Sequence, residues 1–391
     1  MSPSRAEPAA IAGIGCSRFG RGLPESQLAL AAAAFKAALE DSGIAREEVD
    51  GLSIHLGSPF GLDYDRVAEA FDLDIVYVNQ SWLHGRFISH SLQSAALAVT
   101  NGLARSVACL TAISFTRERQ ILAGPGDSEG GREEGGTHGE SPPYGLTSPA
   151  AGAALAMQRY MALTGATSRQ LGAVPVALRN AACRNPGAIM RTPITLEDHQ
   201  SSRLIVDPLH LLDCCLVSDG AVVALVTTAE RARDLRQKPV FIAGMQGMRA
   251  GREEFIFAPR GLGINQQKGG LAPAREKDLA IYARSGIGRE AVRGFYTYDA
   301  FSPLVLFALE RFGFCGPGQA AAFVQGGRIE IGGELPVNTS GGLLSEAHVG
   351  GWNSIAEIVR QLRGSAGERQ IAGADCLQWG TVWGDSVLFR N

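Results

Sequence analysis

Residues 335–342, Leu-Pro-Val-Asn-Thr-Ser-Gly-Gly, decide the fold, because their central Val-Asn-x-Ser pattern occurs again at residues 78–81. From each serine the chain runs through a loop and a predicted helix to a glycine that ends the helix, Gly102 or Gly364. A predicted strand that contains a cysteine follows each glycine. Four-residue matches also arise by chance, but here the order and the spacing agree as well as the letters. The repeat therefore predicts duplication of one α/β unit.

The 391 residues are enough for two domains of ordinary size. We predict a first half over residues 1–236, with a loop excursion over about 113–210, and a second half over residues 237–391. Strands alternate with helices, which predicts an α/β fold with mostly parallel sheets and right-handed crossovers. The helix predicted at 25–42 is apolar nearly all the way round, which is typical of a helix buried on more than one side.

Composition and charge exclude several classes of protein. A net charge of −3 provides no field that would attract nucleic acid or an acidic membrane surface. No apolar run reaches the length of a membrane span, and the first residues lack the basic and apolar regions of a secretory signal. The seven cysteines, several of them inside apolar runs, are typical of buried thiols in a cytoplasmic protein. Without Cys-x-x-Cys pairs or clustered histidines, no zinc site is expected.

Several segments carry a resemblance to a known family. In the second half they are residues 298–301 (Tyr-Asp-Ala-Phe), 309–315 (Leu-Glu-Arg-Phe-Gly-Phe-Cys), 333–345 around Leu-Pro-Val-Asn-Thr, and 361–364 (Gln-Leu-Arg-Gly). Residues 185–186 (Asn-Pro) and 218–221 (Ser-Asp-Gly-Ala) match in the first half. The chain resembles the thiolase superfamily, and within it the sterol-carrier-protein-x-like thiolases and their lipid-transfer-protein relatives. The resemblance implies the thiolase fold, in which two βαβαβαββ halves form a five-layered αβαβα sandwich.

Both catalytic cysteines of thiolases are missing. Thiolases carry a nucleophilic cysteine at the start of the buried helix of the first half, where a helix N-terminus favours the thiolate. The corresponding position here falls at or near Gly85, and residues 81–91 contain no cysteine. The second cysteine belongs in a glycine-rich turn near the C-terminus. That turn, residues 378–384, also has none, and Cys376 lies in the preceding strand. The usual acyl transfer through an acyl-cysteine is therefore not expected.

By this resemblance, one catalytic residue of thiolases is present in the chain. It is His348, in the loop that in thiolases helps to hold the thioester oxygen. An imidazole there can stabilise an enolate, or it can merely hold its own loop in place. Tyr296 and Tyr298 alternate around Thr297, so on a strand both would point to one face. Either tyrosine is a candidate base for a hydroxyl or donor for an enolate, with core packing as the alternative. Asp299 either orients a partner or caps the helix that follows it, and capping is favoured.

His84 and His90 lie close to the lost nucleophile. Each is a candidate base, or a side chain that fills the space left by the cysteine. Ser89 and Ser91 are weaker candidates for acylation, because no triad order is visible around them. Aldolases that use a lysine Schiff base or zinc fit poorly, since no lysine falls in the predicted site and histidines are not clustered.

Three functions remain open. A site without cysteine and with an oxyanion histidine resembles the steroid side-chain aldolases of the family, which cleave a β-hydroxyacyl-CoA into a carbonyl compound and a shorter acyl-CoA. The alternatives are an acyltransferase or decarboxylative condensing enzyme, and a non-catalytic subunit that binds acyl-CoA or scaffolds a partner. A cysteine sulfur within reach of His348 in an open cleft would overturn the aldolase interpretation and restore ordinary acyl transfer.

The resemblance also has implications for ligands and partners. It implies a homodimer and a small partner protein with an OB-fold and a zinc ribbon. Coenzyme A is expected as part of the substrate, with no tightly bound cofactor. The residues that contact coenzyme A are not identified, because the chain has no glycine motif for binding phosphate.

Overall fold

The computed structural model describes residues 9–57, 61–81, 88–116, 148–249, 271 and 274–391, and every structural statement below refers to these residues. The strands are β1 (Ala9–Cys16), β2 (Gly51–His55), β3 (Tyr77–Ser81), β4 (Ser106–Ser114), β5 (Leu204–Val206), β6 (Leu209–His210), β7 (Asp219–Thr228), β8 (Val240–Gln246), β9 (Phe295–Tyr296), β10 (Cys376–Gly380) and β11 (Ser386–Arg390).

The helices are numbered in the same way. They are α1 (Gln27–Ser42), α2 (Tyr64–Phe71), α3 (Ile88–Thr100), α4 (Pro149–Thr164), α5 (Ser168–Leu171), α6 (Ala173–Cys183), α7 (Leu196–Ser201), α8 (Ala229–Arg233), α9 (Ala280–Ser285), α10 (Ser302–Arg311), α11 (Ala320–Phe323), α12 (Gly342–Ser345) and α13 (Trp352–Arg363).

One large sheet organises the described chain, in the order β3-β2-β4-β7-β1-β8-β11-β10-β9. Its first five strands precede residue 236 and its last four follow it, although the division into two domains stays a prediction. The α/β class is confirmed, but the prediction of mostly parallel strands is wrong. Among the described strands, β2 pairs parallel with β3 and β4, and β9 with β10, while the other pairs are antiparallel. Strands β10 and β11, for example, are joined by a short turn, and only antiparallel neighbours can be joined so closely.

Alternate side chains of the strands separate two cores. On β1, Ala10 and Ala12 join a cluster with α1, whereas Ala9 and Ile11 face the cluster that contains α3 and α13. Helix α1 buries one face and exposes the other, including Lys36, so the prediction of burial on more than one side is wrong. Its alanines are small enough to lie against the sheet or in water, and composition alone does not distinguish these cases.

Most elements that the sequence pattern predicts are present. The pattern predicts one helix over residues 168–180, but the structure has two, α5 and α6, and it predicts a strand over residues 294–301, of which only Phe295–Tyr296 is a strand. The pattern does not predict the short elements α2, α7, α8, α11, α12, β5 and β6. Much of the excursion predicted at 113–210 is helical from residue 148 onward, and residues 117–147 lie outside the described chain. No helix in the described part is long and apolar enough to cross a membrane.

Glycines on β1 let α1 approach the sheet closely. A Cβ atom on Gly15 would lie 2.0 Å from the carbonyl oxygen of Ala34, and one on Gly13 would lie 2.5 Å from that of Ala38. Both distances are too short for any side chain, and the obstacles are backbone atoms that cannot rotate away. The glycines therefore set the separation between α1 and the strands β1, β4 and β7.

We expect Gly15→Ala to lower the free energy of unfolding by about 1–3 kcal/mol or more, because α1 must move away from the sheet. Urea denaturation measures the change. Gly247→Ala is the matched control, since a Cβ there has no atom within 4 Å. Equal stability of the two variants would contradict this account of the packing.

Candidate active site

The His348 loop lies between α12 and α13 and is pinned to the segment before β7. The backbone N–H of His348 donates to Ser218 Oγ at 2.8 Å, and that hydroxyl lies 3.2 Å from the carbonyl oxygen of His348. Gly350 and Gly351 follow, both with positive φ, and they turn the chain into α13. A Cβ on Gly351 would lie 2.7 Å from Ile88, at the start of α3. The hydrogen bonds to Ser218 and the close packing of Gly351 against the start of α3 thus hold the loop in place.

The imidazole of His348 contacts side chains from three other segments. Its Nε2 lies 3.1 Å from the hydroxyl of Tyr298, its Nδ1 lies 3.6 Å from the sulfur of Cys215, and its ring lies against Phe115 with centroids 5.1 Å apart. Burial lowers the pKa of His348 to about 4, and a hydrogen bond to the Leu216 backbone only partly opposes this. The ring is therefore neutral near pH 7, although part of its surface is open to solvent.

Cys215 is the thiol near His348 that sequence analysis did not foresee. It follows the segment at 211–213, and its backbone N–H donates to the carbonyl of Ala300. Burial raises the pKa of the Cys215 thiol, and electrostatic interaction with the neighbouring Cys214 and Asp299 raises it further. The sulfur is thus a protonated thiol, whereas nucleophilic cysteines need a thiolate stabilised by a cation or a helix N-terminus. Proximity to His348 alone does not make Cys215 a thiolase nucleophile.

The structure separates the two candidate tyrosines. Tyr298 contacts His348, and its ring lies 5.9 Å from that of Trp383 in the turn after β10. Tyr296 is fully buried, and its hydroxyl lies 2.7 Å from Thr339 Oγ1. Burial raises the pKa of Tyr296 well above its ordinary value, and the charge of nearby Glu357 raises it further. Because β9 ends at Tyr296, the expected alternation does not continue to Tyr298, and only Tyr298 meets His348.

Asp299 is a buried carboxylate that caps a helix. Its oxygens accept the N–H of Leu343 at 2.9 and 3.1 Å and that of Leu344 at 3.3 Å. The capped helix is α12, not α10, the helix that directly follows Asp299 in sequence. A Cβ on Gly342 would lie 2.2 Å from the carboxylate, so this position requires glycine. Burial raises the pKa of Asp299 to about 7, and the backbone hydrogen bonds oppose that shift.

The two predicted histidines near the lost nucleophile are not brought to His348. His90 is exposed on α3, and His84 lies outside the described residues. Ser89, in the first turn of α3, instead bonds Asp385, which also accepts the hydroxyl of Thr381 in the tail turn. The first turn of α3 is therefore joined to the tail turn by a hydroxyl and a buried carboxyl group, while the position at Gly85, where the resemblance puts the nucleophilic cysteine, lies outside the described residues.

Sequence reasoning missed four residues around the site: Phe115, Cys215, Trp383 and His55, whose Nδ1 accepts the Trp352 indole N–H at 3.0 Å. One signal was available for Cys215, which lies three residues before the family-like Ser-Asp-Gly-Ala segment. The other three have no motif, because their positions depend on how distant segments pack. Among the described residues no cluster of His, Cys, Asp and Glu could hold a metal ion.

Comparisons with known proteins agree with this geometry. Residues 266–384 match the model of the thiolase C-terminal domain-like family. The chain is 41% identical to the 17-hydroxy-3-oxo-4-pregnene-20-carboxyl-CoA lyase of Mycobacterium tuberculosis over 94% of both chains. It is 37% identical to the steroid side-chain-cleaving aldolase of Thermomonospora curvata, over 92% of this chain and 91% of that one.

A solved structure, the Ltp2-ChsH2(DUF35) aldolase, superposes with a TM-score of 0.85 at 35% identity and covers 98% of both chains. The resemblance inferred from the segments at 298–301 and 333–345 is thus confirmed over nearly the whole sequence. The chain belongs to the thiolase superfamily, in the group that contains the steroid side-chain-cleaving aldolases and the sterol-carrier-protein-x-like thiolases.

Proposed function

We propose that this protein cleaves the Cα–Cβ bond of a β-hydroxyacyl-CoA by retro-aldol chemistry, without a cysteine nucleophile. The observation that carries the proposal is the contact of 3.1 Å between the Tyr298 hydroxyl and Nε2 of a neutral His348. This pair can move a proton, which retro-aldol cleavage needs, and it cannot by itself accept an acyl group as a thiolate would. The relatives named as a lyase and an aldolase support the same reaction class.

The reaction needs one proton to be taken and one to be returned. Tyr298 takes the proton of the β-hydroxyl and passes its own proton to Nε2 of His348. The Cα–Cβ bond then breaks, its electron pair moves onto the thioester as an enolate, and the β carbon leaves as a ketone or aldehyde. His348, now protonated, stabilises the enolate and returns the proton to Cα, which gives the shorter acyl-CoA.

The surroundings of His348 suit this role. Its low pKa leaves Nε2 free to accept a proton at neutral pH. A hydrogen bond to the Leu216 backbone and the contact of Nε2 with the Tyr298 hydroxyl hold the ring in its orientation. Phe115 and Trp383 pack against the pair and limit access of water, which strengthens charge stabilisation inside the site.

Ordinary acyl transfer is the second candidate, and one observation favours it: the sulfur of Cys215 lies 3.6 Å from Nδ1 of His348. The raised pKa of this thiol argues against it, because burial disfavours the thiolate that acyl transfer requires. We therefore place Cys215 in the wall of the site and not at its reacting centre.

The substrate we propose is a coenzyme A thioester with a steroid or other lipid side chain. The names of the two relatives support this class, since one is a pregnene-carboxyl-CoA lyase and the other cleaves steroid side chains. Coenzyme A is part of the substrate, and we propose no tightly bound cofactor.

A cytoplasmic location is also a proposal, supported by seven cysteines that all remain free thiols.

We also propose a homodimer and a small partner protein. Strand β3 lies at the edge of the sheet, and Val76, Val78, Leu97 and Leu103 expose apolar surface beside it. An unpaired edge with apolar neighbours is suited to pairing with a second copy. The solved structure named Ltp2-ChsH2(DUF35) aldolase has two components in its name, which supports a partner protein for this chain.

Tyr298→Phe should lower kcat by about 10²- to 10⁴-fold, because it removes the group that takes the hydroxyl proton. Chromatography of a β-hydroxyacyl-CoA incubation, which follows the carbonyl product and the shorter acyl-CoA, measures the loss. Tyr296→Phe is the matched control and should change kcat by less than about threefold, since its hydroxyl bonds Thr339 away from His348. Equal losses of kcat in the two variants would contradict the assignment of the base to Tyr298. The base would then be Tyr296 or neither tyrosine.

Cys215→Ser should retain retro-aldol activity within about tenfold, because the proton path runs through Tyr298 and His348. Mass spectrometry of protein quenched during turnover should find no acyl group on Cys215. An acylated Cys215, together with cysteine-dependent cleavage of a β-ketoacyl-CoA in the presence of free coenzyme A, would replace the retro-aldol proposal with acyl transfer.

The purified chain should have about twice its monomer mass of 41.2 kDa in light scattering. Val78→Asp should shift the protein toward the monomer, because it places a charge on the apolar edge. Leu163→Asp, at an exposed apolar position on α4, is the control and should leave the mass unchanged. A monomeric wild-type chain would rule out the homodimer.

A further inference from the structure

We propose that a cleft beside the His348 loop binds a phosphate-ester anion of nucleotide size. This arginine cleft lies between the end of β1, the segment after α6 and the end of α13, and it has a volume of about 810 Å³. Its arginines include Arg184, Arg191 and Arg360, with Cys16 and Glu346 in its wall. Pockets of about 300–1,000 Å³ are typical of small-molecule sites.

The positive charge of the arginine cleft is not neutralised within the described chain. Arg18 and Arg369, which also line it, are paired with Glu25 at 2.6 Å and Glu357 at 2.9 Å. For Arg184, Arg191 and Arg360, the described residues provide no carboxylate at ion-pair distance, although the charges of Glu346 and Glu357 act on Arg360 from farther away. Three arginines therefore line one cavity without an ion-pair partner among the described residues. Glu368 is the one exposed carboxylate at the rim of the cavity.

Arg360 makes the strongest case, because it is largely enclosed. Its Nη2 lies 3.3 Å from the sulfur of Cys16, which is a weak acceptor. The nearest carboxylates are engaged elsewhere. Glu346 accepts amide N–H groups from Asn185 at 2.9 Å and Asn353 at 2.8 Å, and burial raises its pKa. A guanidinium group with five donors, whose hydrogen bond within the described chain goes to a weak sulfur acceptor, is suited to bind a phosphate in two-pronged geometry.

The ligand chemistry follows from size and charge. Three guanidinium groups around one cavity match an anion with two or more phosphate oxygens, and the volume leaves room for a nucleoside. Two sources carry this chemistry: the phosphorylated nucleotide of a coenzyme A thioester, which rests on the proposed function, and a free nucleotide that acts from outside the reaction. Because Glu346 lies two residues before His348, either ligand would sit directly behind the catalytic loop.

Adenosine 3′,5′-bisphosphate is the probe, titrated into the full chain by calorimetry at low and high salt. We expect binding that weakens with salt and that falls by about tenfold or more in Arg191→Gln and in Arg360→Gln. Arg66→Gln is the matched control, an exposed arginine on α2 outside the cleft, and should bind as the wild type does. Arg191 is also exposed, so its variant tests the site even if Arg360→Gln fails to fold.

Steady-state kinetics with the acyl-CoA substrate distinguish the two sources. Competitive inhibition by the probe, with a raised KM and an unchanged kcat in Arg191→Gln, identifies the nucleotide of the substrate itself. Non-competitive inhibition identifies a separate effector. Absence of binding at millimolar probe, or binding that both arginine variants leave unchanged, overturns the proposal. Because the titration needs no turnover, its outcome is independent of whether the retro-aldol reaction is correct.

Discussion

The carboxylate of Asp299 is the constraint on which the site depends. It joins two segments that are far apart in sequence, since it follows β9 and accepts backbone N–H groups at the start of α12. Tyr298 precedes Asp299 by one residue, and His348 follows α12 by three. One buried cap therefore fixes the distance between Tyr298 and His348, the pair that we propose exchanges a proton. Burial raises the pKa of Asp299 to about 7, so this geometry is kept at a cost in desolvation free energy.

The start of α3 is tied to the tail turn as well. Ser89, in the first turn of α3, bonds Asp385. That contact joins the helix to the tail turn that holds Trp383, and Trp383 lies against Tyr298. The contact between α3 and the tail turn thus helps to position Tyr298, one member of the pair that we propose for proton transfer.

The sequence was most informative where local pattern and family motif coincide. The Val-Asn-x-Ser repeat and its following helices predicted α3 and α13 closely, and the motif around residue 348 pointed to the histidine of the site. Pattern alone could not predict burial. Helix α1 is almost entirely apolar and yet exposes a face, whereas α13 contains Glu357 and Gln361 and is buried almost all round. The charged and amide groups of α13 that face the core have partners, such as Arg369 for Glu357 and the carbonyl oxygen of Arg369 for Gln361.

The site residues that sequence reasoning missed depend on packing between distant segments. Cys215, shortly before β7, and Phe115, directly after β4, both contact His348, and no spacing in the chain encodes that meeting. The order of the strands in the sheet also has a consequence for folding during synthesis. Strand β1 lies between β7 and β8, and β11 lies between β8 and β10, so the middle of the sheet is built from the earliest and the latest strands. During synthesis on the ribosome, the strands at residues 240–246 and 376–380 must wait for residues 386–390 before they gain their shared neighbour, and until then their edges are open to chaperones or to other nascent chains.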